Sequence, residues 1–424
     1  MLRSRMTLAA RTGALMTVLA ALLSGSLPAP AAGVVERSAG VASSDGVRNA
    51  VFVGNNWDGT ADIIAPGSFE RLGRVDVIPD KDERMAEIAA NPVRLAYFLA
   101  IRQEIGEGHD QYVDDLYSST DGTMLIASRP SFADVVAISL ATGKIVWRFP
   151  VAGYRADHMA MSPNGKRVVV SASTANVVHV LRVRDGKEVG RFPSGDSPHE
   201  STFIDGGRRI LHASIGMVYS PADQPELDST KGKRVLEIVD ARTFEVLRRY
   251  NLRKALDRRG LDRMSNAVRP MTISPDDRTF YFQVSFFHGF LEMDRRTGRI
   301  TRVDRLPNLV KDTPREQYLL DSAHHGIAMN SSGTKLCVAG TMDDYATVVD
   351  VRTFHHGRLL RGGTKPYWVT PSRDGRTCYI SWSGSDKISE ISYRTGRIVR
   401  SVQVGDHPQR IRNGVVARSL VSGL

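Results

Sequence analysis

Short apolar runs alternate with polar turns along almost the whole chain. Each unit reads as an apolar β-strand, a turn and a second strand, and this turn recurs seven times. The seven copies lie at residues 66–69, 141–143, 184–186, 242–244, 296–298, 352–354 and 394–396. A repeat of this length cannot bury its own apolar faces, so we expect neighbouring copies to stack against each other.

A second, more polar turn recurs six times between the first ones. Its copies lie at residues 119–122, 162–165, 204–206, 274–277, 331–333 and 372–375. Asp-Gly and Asn-Gly between alternating apolar runs are typical of β-hairpins. We therefore predict four-stranded units in which this turn joins strands A and B, while the first turn joins strands C and D.

The two ends of the repeat region supply the parts of one further unit. Ala50-Val51-Phe52-Val53-Gly54 predicts a strand B near the start, and residues 405–412 predict an unpaired strand A near the end. Pairing them closes a ring and leaves no open sheet edge. The sequence thus predicts an all-β, seven-bladed β-propeller, in which the C-terminal strand A joins the N-terminal strands B to D and a helical insertion follows the first blade.

Several of these motifs resemble a known family. The Ser-Pro-Asp-Gly-like turns, the strand end at residues 390–396 and the segment Val404-Gly405-Asp406-His407-Pro408 are similar to the YVTN-type repeats of YncE-like secreted propeller proteins. The resemblance covers nearly the whole mature chain and implies the fold. Related propellers include binding proteins, dehydrogenase subunits, lactonases and lyases, so the resemblance does not identify a function.

The N-terminal residues have the pattern of a secretory signal peptide. Arg3, Arg5 and Arg11 precede or flank an apolar run at 14–23, and Ala29-Pro30-Ala31 offers a cleavage site. The apolar run is too short to span a bilayer as a mature helix. We expect a secreted, extracytoplasmic monomer with a signal peptide at 1–31, a flexible N-terminus at 32–44, the propeller at 45–416 with its helical insertion at 79–113, and a C-terminal tail at 417–424.

The positive charge of the chain is spread out. The formal net charge of +11 falls to +8 without the signal peptide, which carries three arginines and no acidic residue. The remaining arginines are scattered through turns and strand ends, which is typical of a solvated surface and makes a nucleic-acid partner unlikely.

Cys337 and Cys378 are the two cysteines of the chain and lie on neighbouring repeats. Export would allow a disulfide. Because the strands of adjacent repeats are expected to diverge, the sequence favours two small buried apolar residues over a disulfide.

The long connections all fall on one face of the predicted disc. They are residues 79–113, 218–233, 250–268 and 306–323, and such insertions commonly build a binding surface. The first is expected to hold a helix from about Asp82 to Ile105, interrupted or kinked at Pro92. A basic segment at 252–263 is a further candidate helix.

Strand A should line a central channel, and aligning the repeats superposes two positions at its start. The first position holds Asp114, Asp157, Pro198, Arg269, His325, Tyr367 and Gln409. The second holds Asp115, His158, His199, Pro270, Gly326, Trp368 and Arg410, with His324, Glu200, Lys365 and His407 as flanking residues. Since side chains alternate along a strand, about one of the two sets should point into the channel.

Three interpretations of this ring remain open. It is a polar pocket for a small or extended ligand, a metal site using His158, His199 and His325 or His324, or a structural hydrogen-bonded ring. The candidate ligand-binding residues are Asp157, His158, His199, Glu200, Arg269, His325, Tyr367, Trp368 and Arg410.

The sequence favours a non-catalytic protein that binds a small molecule, a glycan or a protein on its loop face and channel mouth, without a cofactor. The alternative is a metal-assisted lyase or lactonase in which His158, His199 and His325 serve a divalent transition metal and Arg269 stabilises developing negative charge. The chain carries no nucleophile-elbow, phosphate-loop, dinucleotide or HExxH motif.

Overall fold

The computed structural model describes residues 46–218 and 225–421. The predicted signal peptide and N-terminal segment lie outside the described residues. Within those residues the strands form seven antiparallel sheets arranged as the blades of a propeller, which confirms the predicted fold. No helix in this part of the chain is long and apolar enough to cross a membrane.

Six of the described sheets have four strands and the sixth blade has three. The first four blades comprise β1 (Val47–Asn55), β2 (Thr60–Ile64), β3 (Arg71–Asp76) and β27 (Pro408–Ala417); β4 (Leu116–Ser118), β5 (Met124–Arg129), β6 (Asp134–Ser139) and β7 (Ile145–Pro150); β8 (Ala156–Met161), β9 (Arg167–Ala172), β10 (Val177–Arg182) and β11 (Glu188–Pro193); and β12 (Pro198–Ile204), β13 (Arg209–Ser214), β14 (Leu236–Asp240) and β15 (Val246–Arg249). The other three comprise β16 (Val268–Ile273), β17 (Thr279–Val284), β18 (Gly289–Asp294) and β19 (Arg299–Arg305); β20 (Ile327–Met329), β21 (Lys335–Gly340) and β22 (Tyr345–Asp350); and β23 (Pro366–Pro371), β24 (Thr377–Trp382), β25 (Lys387–Ser392) and β26 (Ile398–Gln403).

The sixth blade lacks a regular strand D. Its place is taken by a segment that touches β22 through two isolated bridges, Val349 to His356 and Ala346 to Leu360. Gly357 lies between these bridges, and glycine weakens an extended strand because it adds no packing side chain and costs more conformational entropy.

The ring closes between the two ends of the described chain. β27 pairs with β1 over the register Val47–Ala417 to Asn55–Pro408, so the last strand completes the first blade as predicted. Seven clusters of buried apolar side chains each draw on two neighbouring blades, and together they occupy all seven interfaces of the ring. Most of the core therefore lies between blades, which is why no single repeat is expected to be stable alone.

The turn between strands C and D ends in either glycine or phenylalanine, and its backbone conformation explains both variants. Its last residue adopts a left-handed conformation, with φ of 68° at Gly143 and 65° at Phe69. Glycine adopts this conformation without strain, whereas phenylalanine is strained in it and needs packing contacts that compensate for the strain. Phe69 stacks on Tyr379 of the seventh blade and Phe354 meets Phe290 of the fifth edge-on, so these rings bind adjacent blades together.

The helical insertion after the first blade forms two helices where one interrupted helix was expected. They are α1 (Lys81–Ala89) and α2 (Pro92–Glu104), with Pro92 as the first residue of α2 and Asn91 capping it through bonds of 3.1 Å from the amides of Val93 and Arg94. Both helices pack over the interface of the first two blades. The remaining described helices are α3 (Leu252–Asp257) and α4 (Arg418–Val421), with short 3-10 turns at Asp205–Gly207, Pro225–Thr230, Arg315–Gln317, Leu319–Asp321 and Ser383–Ser385.

Cys337 and Cys378 form a disulfide, which corrects the expectation of two buried thiols. They lie on β21 and β24, the second strands of the sixth and seventh blades. The expected divergence of these strands is too small to separate them, because their Cα atoms are 6.6 Å apart and within disulfide range. The bond links two blades covalently.

We expect the double variant Cys337→Ala/Cys378→Ala to lose about 2–4 kcal/mol of unfolding free energy, because the disulfide restricts the unfolded chain. Chemical denaturation of the purified protein measures the loss. Thiol titration of the denatured, unreduced wild type should find no free thiol. Two reactive thiols, together with unchanged stability of the double variant, would contradict the disulfide.

Asp115 joins three blades at the ring closure. Its fully buried carboxylate accepts bonds from Arg412 at 2.9 and 2.7 Å, from the amide of Leu116 at 2.8 Å and from the amide of Met159 at 3.0 Å. Arg412 belongs to β27, Leu116 to β4 and Met159 to β8, so one side chain connects the first, second and third blades.

Asp115→Ala should therefore destabilise the protein by about 3–5 kcal/mol, since it leaves a mostly buried guanidinium without its partner. The matched control is Asp350→Ala, which breaks the more exposed pair with Lys335 and turn bonds from Thr353, and should cost much less. Equal losses in urea unfolding would show that ring closure does not depend on Asp115.

Candidate functional site

Strand A of most blades carries a β-bulge at the start of the channel. In five blades the pairing of strand A with strand B shifts register there, so that two residues of strand A face one residue of strand B. Bulges re-aim side chains and commonly occur beside functional sites. Here the first of the two residues in each of these five strands lines a cavity in the channel, and in the third blade the second residue, His158, lines it too.

The bulge corrects the alignment of the fourth blade by one residue. Pro198 pairs with Ser214 and Ser201 with His212, so His199 and Glu200 occupy the two bulge positions. The first set is therefore Asp114, Asp157, His199, Arg269, His325, Tyr367 and Gln409, and all seven of these residues line one cavity in the channel. The second set has Glu200 where the sequence alignment placed His199.

A signal for the correct register was present in the sequence. Pro198, Pro366 and Pro408 each begin a strand A and immediately precede the first bulge position. The alignment used this relation for Tyr367 and Gln409 but placed Pro198 itself in the ring. We call the cavity and the residues around it the channel site.

The nine predicted site residues are all buried, and the structure divides them into two layers. Asp157, His158, His199, Arg269, His325 and Tyr367 line the cavity, whereas Glu200, Trp368 and Arg410 lie behind His158. Arg410 stacks over Trp368 at 4.2 Å and its guanidinium contacts Nε2 of His158.

The flanking histidines lie elsewhere. His324 belongs to a different cluster between the fifth and sixth blades, and His407 stacks on Trp57. Neither lines the cavity.

The cavity wall also contains Arg155 and Ser173, which the sequence did not predict as site residues. Arg155 donates to Asp157 at 2.7 Å and to Ser173 at 3.2 Å. Arg155 and Asp157 are two residues apart and therefore on the same side of β8 and its lead-in, so the alternation of side chains could have indicated this pair. Ser173 follows β9 and gave no such signal.

Three imidazoles converge at the channel site. The ring centroids of His158 and His199 are 3.8 Å apart, and that of His325 lies 6.1 Å from the first and 5.8 Å from the second. One ring nitrogen of each lies within 4.8 Å of those of the other two. Zinc–nitrogen bonds of about 2.1 Å set ligand nitrogens roughly 3.4 Å apart in a tetrahedron, so side-chain shifts of about an ångström would complete a metal site.

Two of these histidines are held from behind. Nδ1 of His158 lies 2.8 Å from Oε2 of Glu200, and Nδ1 of His325 lies 3.4 Å from the carbonyl oxygen of Tyr367. When Nδ1 donates to such an acceptor, the lone pair of a neutral imidazole is on Nε2. This is the arrangement that orients metal-binding histidines in proteins.

Two carboxylates add oxygen donors to the same place. Nε2 of His158 is 3.9 Å from Oδ2 of Asp114 and 3.7 Å from Oδ1 of Asp157. Oδ2 of Asp114 and Nδ1 of His199 are buried without a hydrogen-bond partner among the described residues. Buried polar atoms are normally satisfied, so these two atoms mark a place where a partner is expected.

Burial controls the charge of the site. It lowers the pKa of His158, His199 and His325 well below the ordinary value of 6.5, and the nearby arginines lower these pKa values further. Burial also raises the pKa of Glu200 to about 8 and that of Asp114 to about 7. Without a bound ion, the three imidazoles are thus neutral at pH 7, and neutral imidazole is the form that binds metals.

The cavity is small. Its volume is about 30 Å³, enough for one or two water molecules or an ion with its water. Polar side chains form most of its wall, and Ile105, Ile215, Val218 and Leu320 contribute apolar groups. The arrangement can hold a small cation or a few waters in this conformation, whereas a drug-sized ligand needs several hundred cubic ångströms.

Comparison with known proteins supports the fold and identifies no function. The chain matches no protein-family model and no curated protein. Among solved structures it is similar to the Kuenenia stuttgartiensis hydrazine synthase, with 14% identity, a TM-score of 0.55 and coverage of 88% of this chain and 99% of that chain. At this identity the likeness supports a propeller fold alone.

The raised pKa of Glu200 predicts a pH dependence of stability for the metal-free protein. The unfolded chain loses this proton near pH 4.5 and the folded chain near pH 8, so the folded state binds more protons between these values and stability falls as pH rises. Between pH 6.5 and 8 we expect chelator-treated wild type to lose about 1–2 kcal/mol through this group.

Urea unfolding at both pH values measures this loss. Glu200→Gln should flatten the dependence, and the exposed control Glu245→Gln should leave it unchanged. An identical pH dependence in wild type and Glu200→Gln would contradict the buried, protonated state of Glu200.

Proposed function

We propose that the protein is an exported binding propeller whose channel site takes a divalent transition-metal ion, with His158, His199 and His325 as nitrogen ligands. The single observation that carries the proposal is the convergence of three buried imidazoles whose nitrogens lie within 4.8 Å of one another. Imidazole suits Zn²⁺, Cu²⁺ and Ni²⁺, and the carboxylates of Asp114 and Asp157 would extend the range to Mn²⁺-like ions.

The surroundings of the ring support this proposal over a purely structural one. Glu200 and the carbonyl of Tyr367 orient two rings from behind, and hydrogen bonds among the described residues leave Nδ1 of His199 and Oδ2 of Asp114 unused. A cation would also stabilise the charged forms of the Asp114 and Asp157 carboxylates, which burial otherwise disfavours.

Metal binding at Nε2 of His158 requires Arg410 to give up its contact with that atom. Asp114 offers the guanidinium another partner, because its Oδ1 already lies 3.6 Å from Nη2 of Arg410. Trp368 would keep the guanidinium plane in place through the stacking contact.

The cavity volume favours a binding function over the alternative of a metal-assisted lyase or lactonase. Both would use the same ion, but the enzyme must also bring an organic substrate to it. A volume of about 30 Å³ leaves room for water and not for a sugar or a lactone ring in this conformation. Arg269, the residue proposed to stabilise negative charge in the enzyme, is engaged with Ser285 at 3.0 Å and with the carbonyl of Leu320.

Export and family membership belong to the same proposal. The N-terminal sequence pattern supports export, and the Cys337–Cys378 disulfide suits an oxidising compartment. The turn and strand motifs support membership of the YVTN-repeat propellers. The loop face also carries exposed Val93, Leu99, Met217, Leu227 and Leu309, and a partner on this face stays a prediction.

The proposal predicts one equivalent of metal that depends on the channel histidines. Purified protein is stripped with a chelator, reloaded separately with Zn²⁺, Cu²⁺ and Mn²⁺, freed of excess ion and analysed by inductively coupled plasma mass spectrometry. We expect His158→Ala/His199→Ala and His325→Ala each to lose one equivalent relative to wild type. Glu200→Gln keeps all three ligands and should weaken binding roughly 10–100-fold through loss of orientation.

The control variant is His212→Gln. His212 is an equally buried histidine of the fourth blade, but it is bonded to Ser194 at 2.7 Å and Ser201 at 3.0 Å. It should retain the full metal content. Equal metal content in all variants, or loss of metal in the control alone, would overturn the assignment of the channel histidines as ligands.

A further inference from the structure

A second histidine–carboxylate cluster lies between the fifth and sixth blades. It consists of His288 from the connection between β17 and β18, His324 before β20, and Asp343 from the connection between β21 and β22. Nδ1 of His288 and Nε2 of His324 lie 2.6 and 3.0 Å from the same oxygen, Oδ2 of Asp343. We call these three residues the blade 5–6 cluster.

The consecutive residues His324 and His325 therefore belong to two different sites. His325 lines the channel cavity, whereas His324 turns away from it into the blade 5–6 cluster. The three residues of the cluster do not line the channel cavity, and their side chains are almost completely buried. It is therefore separate from the channel site and almost closed to solvent.

Among the described residues, the buried carboxylate of this cluster has no lysine or arginine side chain as ion-pair partner. Within the described residues, the ion pairs of Asp343 are with His288 and His324 alone. A buried carboxylate is normally neutralised by a cation or a proton. Here the candidates are a proton shared with an imidazole and a metal ion bound by all three groups.

The contacts behind the cluster suit a metal ion, which would need the two nitrogens to move away from Oδ2 by less than about an ångström to reach the ligand spacing of zinc. Oδ1 of Asp343 accepts the amide of Leu309 at 2.7 Å, which leaves Oδ2 for a single ligand bond. Nε2 of His288 lies 2.9 Å from the hydroxyl of Tyr318, so the ring is oriented from the side away from Asp343. Such outer partners hold metal-binding carboxylates and histidines in place.

We propose that His288, His324 and Asp343 form a second divalent transition-metal site, with a structural role. Two imidazoles and one carboxylate can supply three of the four ligands of a tetrahedral Zn²⁺, and the buried surroundings suit a structural ion rather than one that exchanges substrate. The proposal is independent of the channel site and does not share a ligand with it.

The second site would fasten the long connection from residue 306 to 326. Leu309 and Tyr318 of this connection are the residues that hold Asp343 and His288 from behind. The same connection carries Leu320, which lines the channel cavity and whose carbonyl accepts a bond from Arg269. An ion in the blade 5–6 cluster would thus hold one wall of the channel site.

Zinc stoichiometry of the full mature chain tests the second site. Reloaded wild type should hold two equivalents, and Asp343→Asn and His288→Gln should each hold one. His158→Ala/His199→Ala should also hold one, and combining it with His288→Gln should leave none. The matched control is His179→Gln, which removes a buried histidine paired with a carboxylate, Glu188 at 2.8 Å, and should keep both ions.

Hydrogen–deuterium exchange gives a second readout that does not depend on counting ions. Chelation should raise exchange of peptides covering 306–321 in wild type and in His179→Gln, and should change nothing further in His288→Gln. Circular dichroism checks that each variant is folded. His288→Gln keeps the bond between Asp343 and Leu309, so it carries the test if Asp343→Asn does not fold.

Two results would overturn the second site. One is an ion content that falls with the channel variants but stays the same in Asp343→Asn and His288→Gln. The other is exchange of the 306–321 peptides that does not respond to chelation in wild type. If the reloaded wild type holds an ion that depends on Asp343 and His288 but none that depends on the channel histidines, the proposed function is wrong and the second site stands.

Discussion

Burial of apolar faces between neighbouring blades is the constraint on which the rest of this molecule depends. Each four-stranded unit is too small to bury its faces alone, and the seven apolar clusters lie at the seven interfaces of the ring. Pairing of β27 with β1 completes the first blade and joins the two ends of the described chain, which closes the ring. The disulfide and Asp115 strengthen interfaces that already exist.

Closure also decides where the polar chemistry lies. Strands A surround one axis, and the first of the two aligned residues in each blade lines the cavity there. Histidines that are far apart in sequence thereby become neighbours in a space of about 30 Å³. Burial keeps these imidazoles neutral, which is the form that binds a metal ion, so the same packing that stabilises the ring prepares its histidines for a cation.

Much of the fold could be predicted because its signals are periodic. The same turn motif recurs once in each of the seven blades, and the count of turns together with the two terminal strands defines a closed ring. The channel histidines followed from that ring, although the position of His199 was wrong by one residue because a bulge is a local feature of pairing. The consistent use of Pro198, Pro366 and Pro408 as the start of strand A would have corrected it.

Other features depend on distances that no repeat encodes. The disulfide needs two Cα atoms of different blades 6.6 Å apart, and the blade 5–6 cluster needs three irregular connections to meet. Arg155 enters the cavity from the lead-in to β8, outside the aligned positions. Such contacts follow from the twist and spacing of the blades rather than from spacing along the chain.

Anomalous X-ray diffraction at the zinc absorption edge tests the central claim most directly. Crystals of the chelated and zinc-reloaded protein would be measured above and below the edge. The account predicts an anomalous peak on the channel axis among the imidazoles of His158, His199 and His325. The account would be contradicted if the channel shows no anomalous density while zinc is found only at surface histidines such as His355 and His356.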